Sequence, residues 1–550
     1  MAGLGVSTIS IDQRQEENMN NKSKKCDLQQ PVEGISRRRF LAGSLAAGAA
    51  LGLGGLSLSQ AYAGSLAPVK GGKLTVGGGQ GSTTDSLDPA TYNNDFLYAL
   101  AYGVFNNLTE IDTDGKLIPE LAESWQASAD AKVWAFRLRK DVTFHDGKSL
   151  SVEDVIASLN HHRKDGSKSG AKPLVEGIAD MRAADAHTLV IELKDANADF
   201  PFILSDYHLG IRQAKGEGID AQSAIGTGAY ILQSFEPGVR ATYLRNPQYW
   251  KSGRAHINEI EILVIADAAA RLNALMTGQV DLIDRPDLKT IKMLERAPGV
   301  KVEQRTGTLH YTLPMHANVA PFQDNNVRLA LKHAINREEM VQKVLKGYGV
   351  VGNDHPIGPS NRFFNHDLAI RSYDPDKAAF YLKQAGMSEL KVQLSLAETA
   401  FDGALDAGAL FAESAKKAGI TIEILREPND GYWSNVWLKK PFSASYWGGR
   451  PTEDWMFSTV YAKGVSWNES NWEHARFNQL LVAARSELDD DKRRAMYGEM
   501  QQLVRDEGST IIPMFGNYVV AMRDRVQHDE QVAANWDLDG QRFMERWWVA

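Results

Sequence analysis

The segment Ser445-Tyr-Trp-Gly-Gly-Arg-Pro-Thr-Glu-Asp-Trp455 is where this sequence concentrates binding chemistry. Gly448 and Gly449 carry no side chain, so a ligand can approach their backbone N–H and C=O groups closely. Arg450 offers a planar fork that can grip a carboxylate or phosphate through two hydrogen bonds. Tyr446 and Trp447 could stack on a ligand or wall it in, and Trp433 and Trp437 could add to that surface. Other uses stay open: Arg450 could pair with Glu453 or Asp454 on a loop surface, and Trp437 could belong to a core. Upstream, Glu398 and Asp402 could receive an ammonium or guanidinium group, or stand as solvated acids near a helix start.

Reaction chemistry is harder to find. The sequence has no G-x-S-x-G, no H-E-x-x-H and no G-x-x-x-x-G-K-[ST]. His161 and His162 are adjacent on an expected helix and cannot chelate one metal from it. His310 and His316 read as core or surface histidines. Neither an enzyme nor a bound metal or other cofactor is expected.

The elements that must hold these residues alternate between strand and helix patterns. Lys73–Val76 and Val133–Leu138 read as strands, the second by its alternation. Ser151-Val-Glu-Asp154 is a capping box opening a helix over Val155–His161. Gly226–Ile231 and Ile260–Val264 read as strands, the second central in its sheet. Asp267–Thr277 is a helix stopped by Gly278. A helix pair follows over Asn325–Ile335 and Arg337–Lys346. Strand-like Lys391–Leu396 and Thr421–Leu425 alternate with helices over Asp374–Ala385 and Ala407–Ala418. Two further strands, Ser509–Met514 and Tyr518–Met522, close the chain. This is the signature of an α/β protein of several lobes.

The first residues set the compartment. Ser36-Arg-Arg-Arg-Phe-Leu41, an uncharged run to Gln60 and Ala61-Tyr-Ala63 form the three parts of an export signal. The Arg37-Arg38 pair resembles the twin-arginine signal, which carries folded proteins across the bacterial inner membrane. Cleavage near Ala63 leaves a periplasmic chain beginning at Gly64; the start codon is Met1 or Met19. The single Cys, Cys26, lies in this leader, so the mature chain has no disulfide, no thiol ligand and no lipidated cysteine. A soluble product is expected.

Losing the leader takes the formal charge from −8 to −10. An acidic surface without basic runs argues against nucleic acid and anionic lipid as partners. A mature chain of roughly 490 residues is too long for one core. With 12 Trp, 17 Tyr and 19 Phe, the full sequence can furnish both cores and an aromatic cleft.

Pro119-Glu-Leu-Ala-Glu-Ser-Trp125, Trp134-Ala-Phe-Arg-Leu-Arg-Lys-Asp-Val-Thr-Phe-His-Asp-Gly147 and Leu150-Ser-Val-Glu-Asp-Val155 resemble the signature of family 5 extracellular solute-binding proteins. Gly226-Thr-Gly-Ala-Tyr230, Asn246-Pro-Gln-Tyr-Trp250, Asn326-Val-Arg-Leu-Ala330 and Asp374-Pro-Asp-Lys-Ala378 match further landmarks in the family's order. These are the dipeptide-, oligopeptide- and nickel-binding receptors of ABC importers. The resemblance implies a two-lobed fold with a hinge and an extra domain inserted in lobe one. Lobe one would comprise 71–108, 226–307 and 517–550, the inserted domain 109–225, and lobe two 308–516. It also implies a monomer that closes on a small solute and docks on an inner-membrane permease with its ATPase subunits.

The same resemblance places Tyr92, Asn93 and Asn94 at the cleft as hydrogen-bonding residues. It further implies that peptide-binding relatives carry an Asp for the ligand ammonium where this chain has Gly449. Their Arg for the ligand carboxylate would fall within Ala397–Asp402, which contains no Arg. Both anchors are replaced, so the solute is expected to be a peptide or a peptide-like charged molecule held differently. An opine, sugar conjugate or oligosaccharide on the same scaffold is the alternative, and an exported hydrolase is a weaker one. No histidine cluster points toward a nickel or haem role.

Overall fold

The computed structural model describes residues 67–550 except Glu217, Gly449 and Pro451. The export signal, with Arg37, Arg38, Cys26 and the cleavage site near Ala63, therefore lies outside the described residues, as does Gly449.

A nine-stranded mixed sheet runs through the molecule. At one end Tyr230–Glu236, Arg240–Arg245 and Glu259–Val264 form an antiparallel meander. Lys73–Gly78 then lies parallel to Glu259–Val264 and to Leu282–Asp284. Beyond these come two long antiparallel strands, Val300–Pro314 and Thr510–Arg523, with Ser445–Trp447 on the far edge. The expectation of two separate strands over Ser509–Met514 and Tyr518–Met522 is corrected: Thr510–Arg523 is one strand, continuous through Gly516 and Asn517. The register between the long strands shifts between Thr306 and His310, next to Gly307. A Cβ on Gly307 would collide with the Tyr518 ring, so this irregularity depends on glycine there.

Separate cores lie on either side of that irregular point. Leu97, Tyr230, Ile260, Met522 and Trp547 form one, where Ile260–Val264 is indeed interior. Leu331, Leu394, Phe411 and Ile422 form another beneath the parallel pair Leu390–Leu396 and Ile420–Arg426. A helical layer over Glu453–Val460, Ala475–Ser486 and Asp490–Glu507 buries Phe457, Phe477, Tyr497 and Val504. A four-stranded antiparallel unit has its own core of Trp134, Phe136, Leu138 and Leu189. These residues alternate inward along Val133–Leu138 and Thr188–Leu193, which is why the pattern was readable. The capping box is present at Ser151 and Asp154 and opens the helix Val152–Arg163.

The landmark motifs are framework. The strand expected over Gly226–Ile231 begins only at Tyr230, because Gly226 and Gly228 press against the Val104 carbonyl. A Cβ on either would overlap it. Asn106 donates to Glu120 at 2.9 Å and accepts from the Trp250 indole at 3.1 Å. Glu110, Glu120 and Glu545 share a buried knot with Lys251, Arg542 and Arg546. Three carboxylates facing three cations are already neutralised, so this cluster needs no metal. Among the described residues, no helix is long and apolar enough to cross a membrane.

Candidate functional site

A cavity of about 840 Å³ opens between the four-stranded unit, the helical layer and the segment 531–535. Trp125, Trp134 and Phe202 line it together with Arg362, Arg450 and Arg494. Thr308, beside the irregular point of the crossing strands, reaches the same space.

Arg450 is the residue that joins this cavity to the segment singled out above. The strand Ser445–Trp447 pairs with the first crossing strand, Tyr446 opposite Tyr311 and Trp447 opposite His310. Gly448 follows the strand, and its missing side chain faces open space. The Arg450 guanidinium lies 5.9 Å from the Trp447 ring centre and 5.8 Å from that of Trp455. Burial pulls its pKa below the ordinary value, opposed by Tyr207, Asp206 and Tyr98. Those three residues come from other parts of the chain and present a polar aromatic surface, with the Tyr98 and Tyr207 rings 3.8 Å apart. The acids weighed as surface partners for Arg450 are engaged elsewhere. Glu453 accepts from the Phe363 N–H at 2.7 Å, and Asp454 pairs with Arg485 at 2.7 Å.

The aromatic residues gather as one cluster. Trp433 contacts Tyr446 at 5.8 Å and Trp437 at 5.8 Å between ring centres; Trp437 contacts Trp447, and both touch Trp467. Tyr446 and Trp467 are each 45% exposed and Trp433 is 40% exposed, while Trp447 is buried. The Trp437 indole N–H donates to buried Glu469 at 2.9 Å, which fixes it as a structural ring.

Other expected site residues serve the fold. Glu398 accepts from the Gly403 N–H at 2.8 Å and so shapes the entry to the helix Ala404–Ala415. Asp402 is exposed and acts on Tyr311, whose hydroxyl is pushed up to about 12 by burial and by that charge. Neither acid lines the cavity. Tyr92 is buried; its hydroxyl donates to the Leu87 carbonyl at 3.1 Å and accepts from Arg212 at 2.8 Å. Asn94 caps the helix Asp95–Val104 and donates to Asp85 at 2.8 Å. These bonds engage the polar groups of Tyr92 and Asn94, both expected at the ligand, within the fold.

The histidines also have structural partners. His161 meets Asp88 at 2.7 Å and His162 meets Ser169 at 2.7 Å, with perpendicular rings. His310 is buried with Nδ1 2.9 Å from the Thr308 carbonyl, and burial lowers its pKa to about 4. A carbonyl only accepts, so Nδ1 carries the proton and the ring is neutral.

Sequence reading missed Arg362, Arg494 and Phe202 as cavity residues. Single arginines scattered over the chain have no spacing signal. Trp125 and Trp134 were within the signature segments but were not assigned to a cleft.

Comparison with known proteins follows this geometry. Residues 116–469 match the family model described as bacterial extracellular solute-binding proteins, family 5 middle. Di/tripeptide-binding protein 1 of Pseudomonas aeruginosa (strain UCBPP-PA14) is 25% identical over 499 residues, covering 81% of this chain and 90% of that protein. The dipeptide-binding protein of Escherichia coli (strain K12) is 26% identical over 475 residues, covering 78% and 86%. Among solved structures, HbpA2 from Haemophilus parasuis superposes with a TM-score of 0.75 at 21% identity, covering 83% of this chain and 96% of that one. The periplasmic binding protein DppA from Helicobacter pylori, in complex with the peptide STSA, gives 0.70 at 22% identity, covering 88% and 99%.

Proposed function

Since the chain belongs to the bacterial extracellular solute-binding proteins of family 5, we propose that it is the periplasmic receptor of an ABC importer, capturing a peptide or peptide-like charged solute between two lobes. Its fold is the two-lobed α/β fold of periplasmic binding proteins. Family and relatives point to transport rather than catalysis.

The observation that carries the reading is Arg450. It stands on aromatic rings at the cavity wall, with residues from distant parts of the chain acting on it. A desolvated guanidinium in that position is suited to an anionic group of the solute. Trp447 stacks under Arg450, and Tyr446 and Trp433 join it through the ring cluster; these rings lie beyond the residues that line the cavity. Glu398 and Asp402 remain outside it.

Lobe one comprises 71–108, 226–307 and 517–550, the inserted domain 109–225, and lobe two 308–516. The register shift beside Gly307 supports a junction at 307/308. Closure is then a rigid-body rotation whose free energy comes from contacts made only with solute enclosed. The closed monomer docks on an inner-membrane permease with its ATPase subunits. Export runs through the twin-arginine signal, with cleavage near Ala63.

The exposed faces of Tyr446, Trp433 and Trp467 favour a second reading in which an opine, sugar conjugate or oligosaccharide stacks there. Calorimetric titration of solute-free protein decides between them. Saturation by short peptides supports the first reading. Saturation by neutral oligosaccharides alone replaces it with the second.

A further inference from the structure

Three guanidinium groups converge on one buried phenyl ring at the cavity. The centre of Phe363 lies 4.7 Å from Arg362, 5.2 Å from Arg493 and 5.2 Å from Arg494. Arg362 also lies 5.4 Å from Phe202, another residue that lines the cavity. All three arginines line the cavity together with Arg450 and Lys116. The carboxylates that line it are Asp114 and Asp490.

Their pairing leaves an imbalance. Arg493 is neutralised by Asp199 at 2.6 Å, and both are buried. Arg362 pairs with Asp490, and Lys116 reaches Asp114 at 3.7 Å. Arg494 donates to the Arg362 carbonyl at 3.1 Å, and no carboxylate pairs with it among the described residues. A chain of formal charge −8 thus gathers positive charge along one open cleft. Like charges repel, and stacking on a shared ring offsets that only in part. Focused in a cleft with low-dielectric walls, such a cluster attracts anions.

Arg450 lines the same space on another segment, over Trp447 and Trp455 rather than Phe363. We propose that Arg362 and Arg494 form a second anion subsite, so that the solute carries an acidic group there besides the one at Arg450. The solute class is a peptide-like molecule with at least two separated acidic groups. This rests on the receptor reading above and on the solute filling this cavity.

The test uses the mature chain and two probes, Glu-Glu-Glu and Ala-Ala-Ala, titrated calorimetrically. Wild type is expected to bind Glu-Glu-Glu at least about tenfold tighter, through charge-assisted bonds that the alanine peptide cannot make. The double substitution Arg362→Gln and Arg494→Gln should erase that preference, with Glu-Glu-Glu losing affinity far more than Ala-Ala-Ala. Both side chains reach solvent, so the fold should persist; Arg494→Gln alone should halve the preference or more if the double variant unfolds. Equal affinity of wild type for both peptides, or a preference that survives either variant, overturns the second subsite and leaves a receptor that uses these arginines for packing. Binding of neither peptide overturns the receptor reading itself, and the second subsite with it.

Discussion

The Nη2 of Arg493 lies 2.6 Å from Oδ2 of Asp199, an ion pair closed across 294 residues of sequence. Asp199 stands beside the core of the four-stranded unit, and Arg493 sits in the first turns of the helix Asp490–Glu507. Burial works against the Arg493 charge, and Asp199 outweighs it, so the guanidinium is held above its ordinary range. The pair is the charged core of the contact between these two units, reinforced by the Ala198 N–H donating to the Arg485 carbonyl at 2.7 Å.

Removing one partner strands a buried charge. Arg493→Met should cost about 3–5 kcal/mol in denaturant unfolding, and adding Asp199→Asn should restore much of it. A loss under about 1 kcal/mol would mean that Asp199 finds water or another cation, and that the contact is not held by this pair.

Glu453 supplies a pH dependence. Burial, with Asp199 adding to it and Arg493 opposing, raises its carboxyl from 4.5 to about 7. The folded state therefore holds this proton more tightly than the unfolded chain. Its stabilising contribution is complete below pH 4.5 and is lost as pH rises through about 7. Glu453→Gln keeps an acceptor for the Phe363 N–H without the titration. It should raise the melting temperature relative to wild type at about pH 8 and change it little in acid, so the difference between the two curves isolates this group. Parallel curves would contradict the assignment.

Arg450→Ala should weaken binding of the native solute by about 2–4 kcal/mol, because an enclosed anion would lose its partner. Arg450→Lys should recover only part, since a point charge replaces the fork. Affinity within a factor of about two of wild type, well under 1 kcal/mol, would remove Arg450 from the site.

Export tests the leader. Lys at Arg37 and Arg38 together should leave unprocessed protein in the cytoplasm, as both guanidinium groups of a twin-arginine signal are read. Normal periplasmic yield, followed by fractionation and immunoblotting, would assign the general secretory route instead.

Much of the fold was legible because local patterns and tertiary demands agree. Val133–Leu138 alternates and is a strand; Asp267 caps the helix Ala268–Thr277 and Gly278 ends it in the left-handed conformation. The second crossing strand was read as two because Gly516 and Asn517 interrupt its pattern, while pairing along Val300–Pro314 holds it together. Of the expected segment from Tyr446 to Arg450, Arg450 lines the cavity. The site was not legible where distant residues decide. Tyr92 is claimed by Arg212 and His208, each more than a hundred positions away, and Arg362 and Arg494 meet across 132. Glu398 was lost to a local bond with Gly403 that two readings of the same acid could not separate in advance.

Capture by closure is the central claim, and small-angle scattering measures it. Solute-saturated protein should show a smaller radius of gyration than the solute-free form, with tryptophan emission shifting in parallel as Trp447 and Trp433 change surroundings. Tight binding with an unchanged radius would contradict it: the lobes would not move about the crossing strands, and the cavity would be a preformed site.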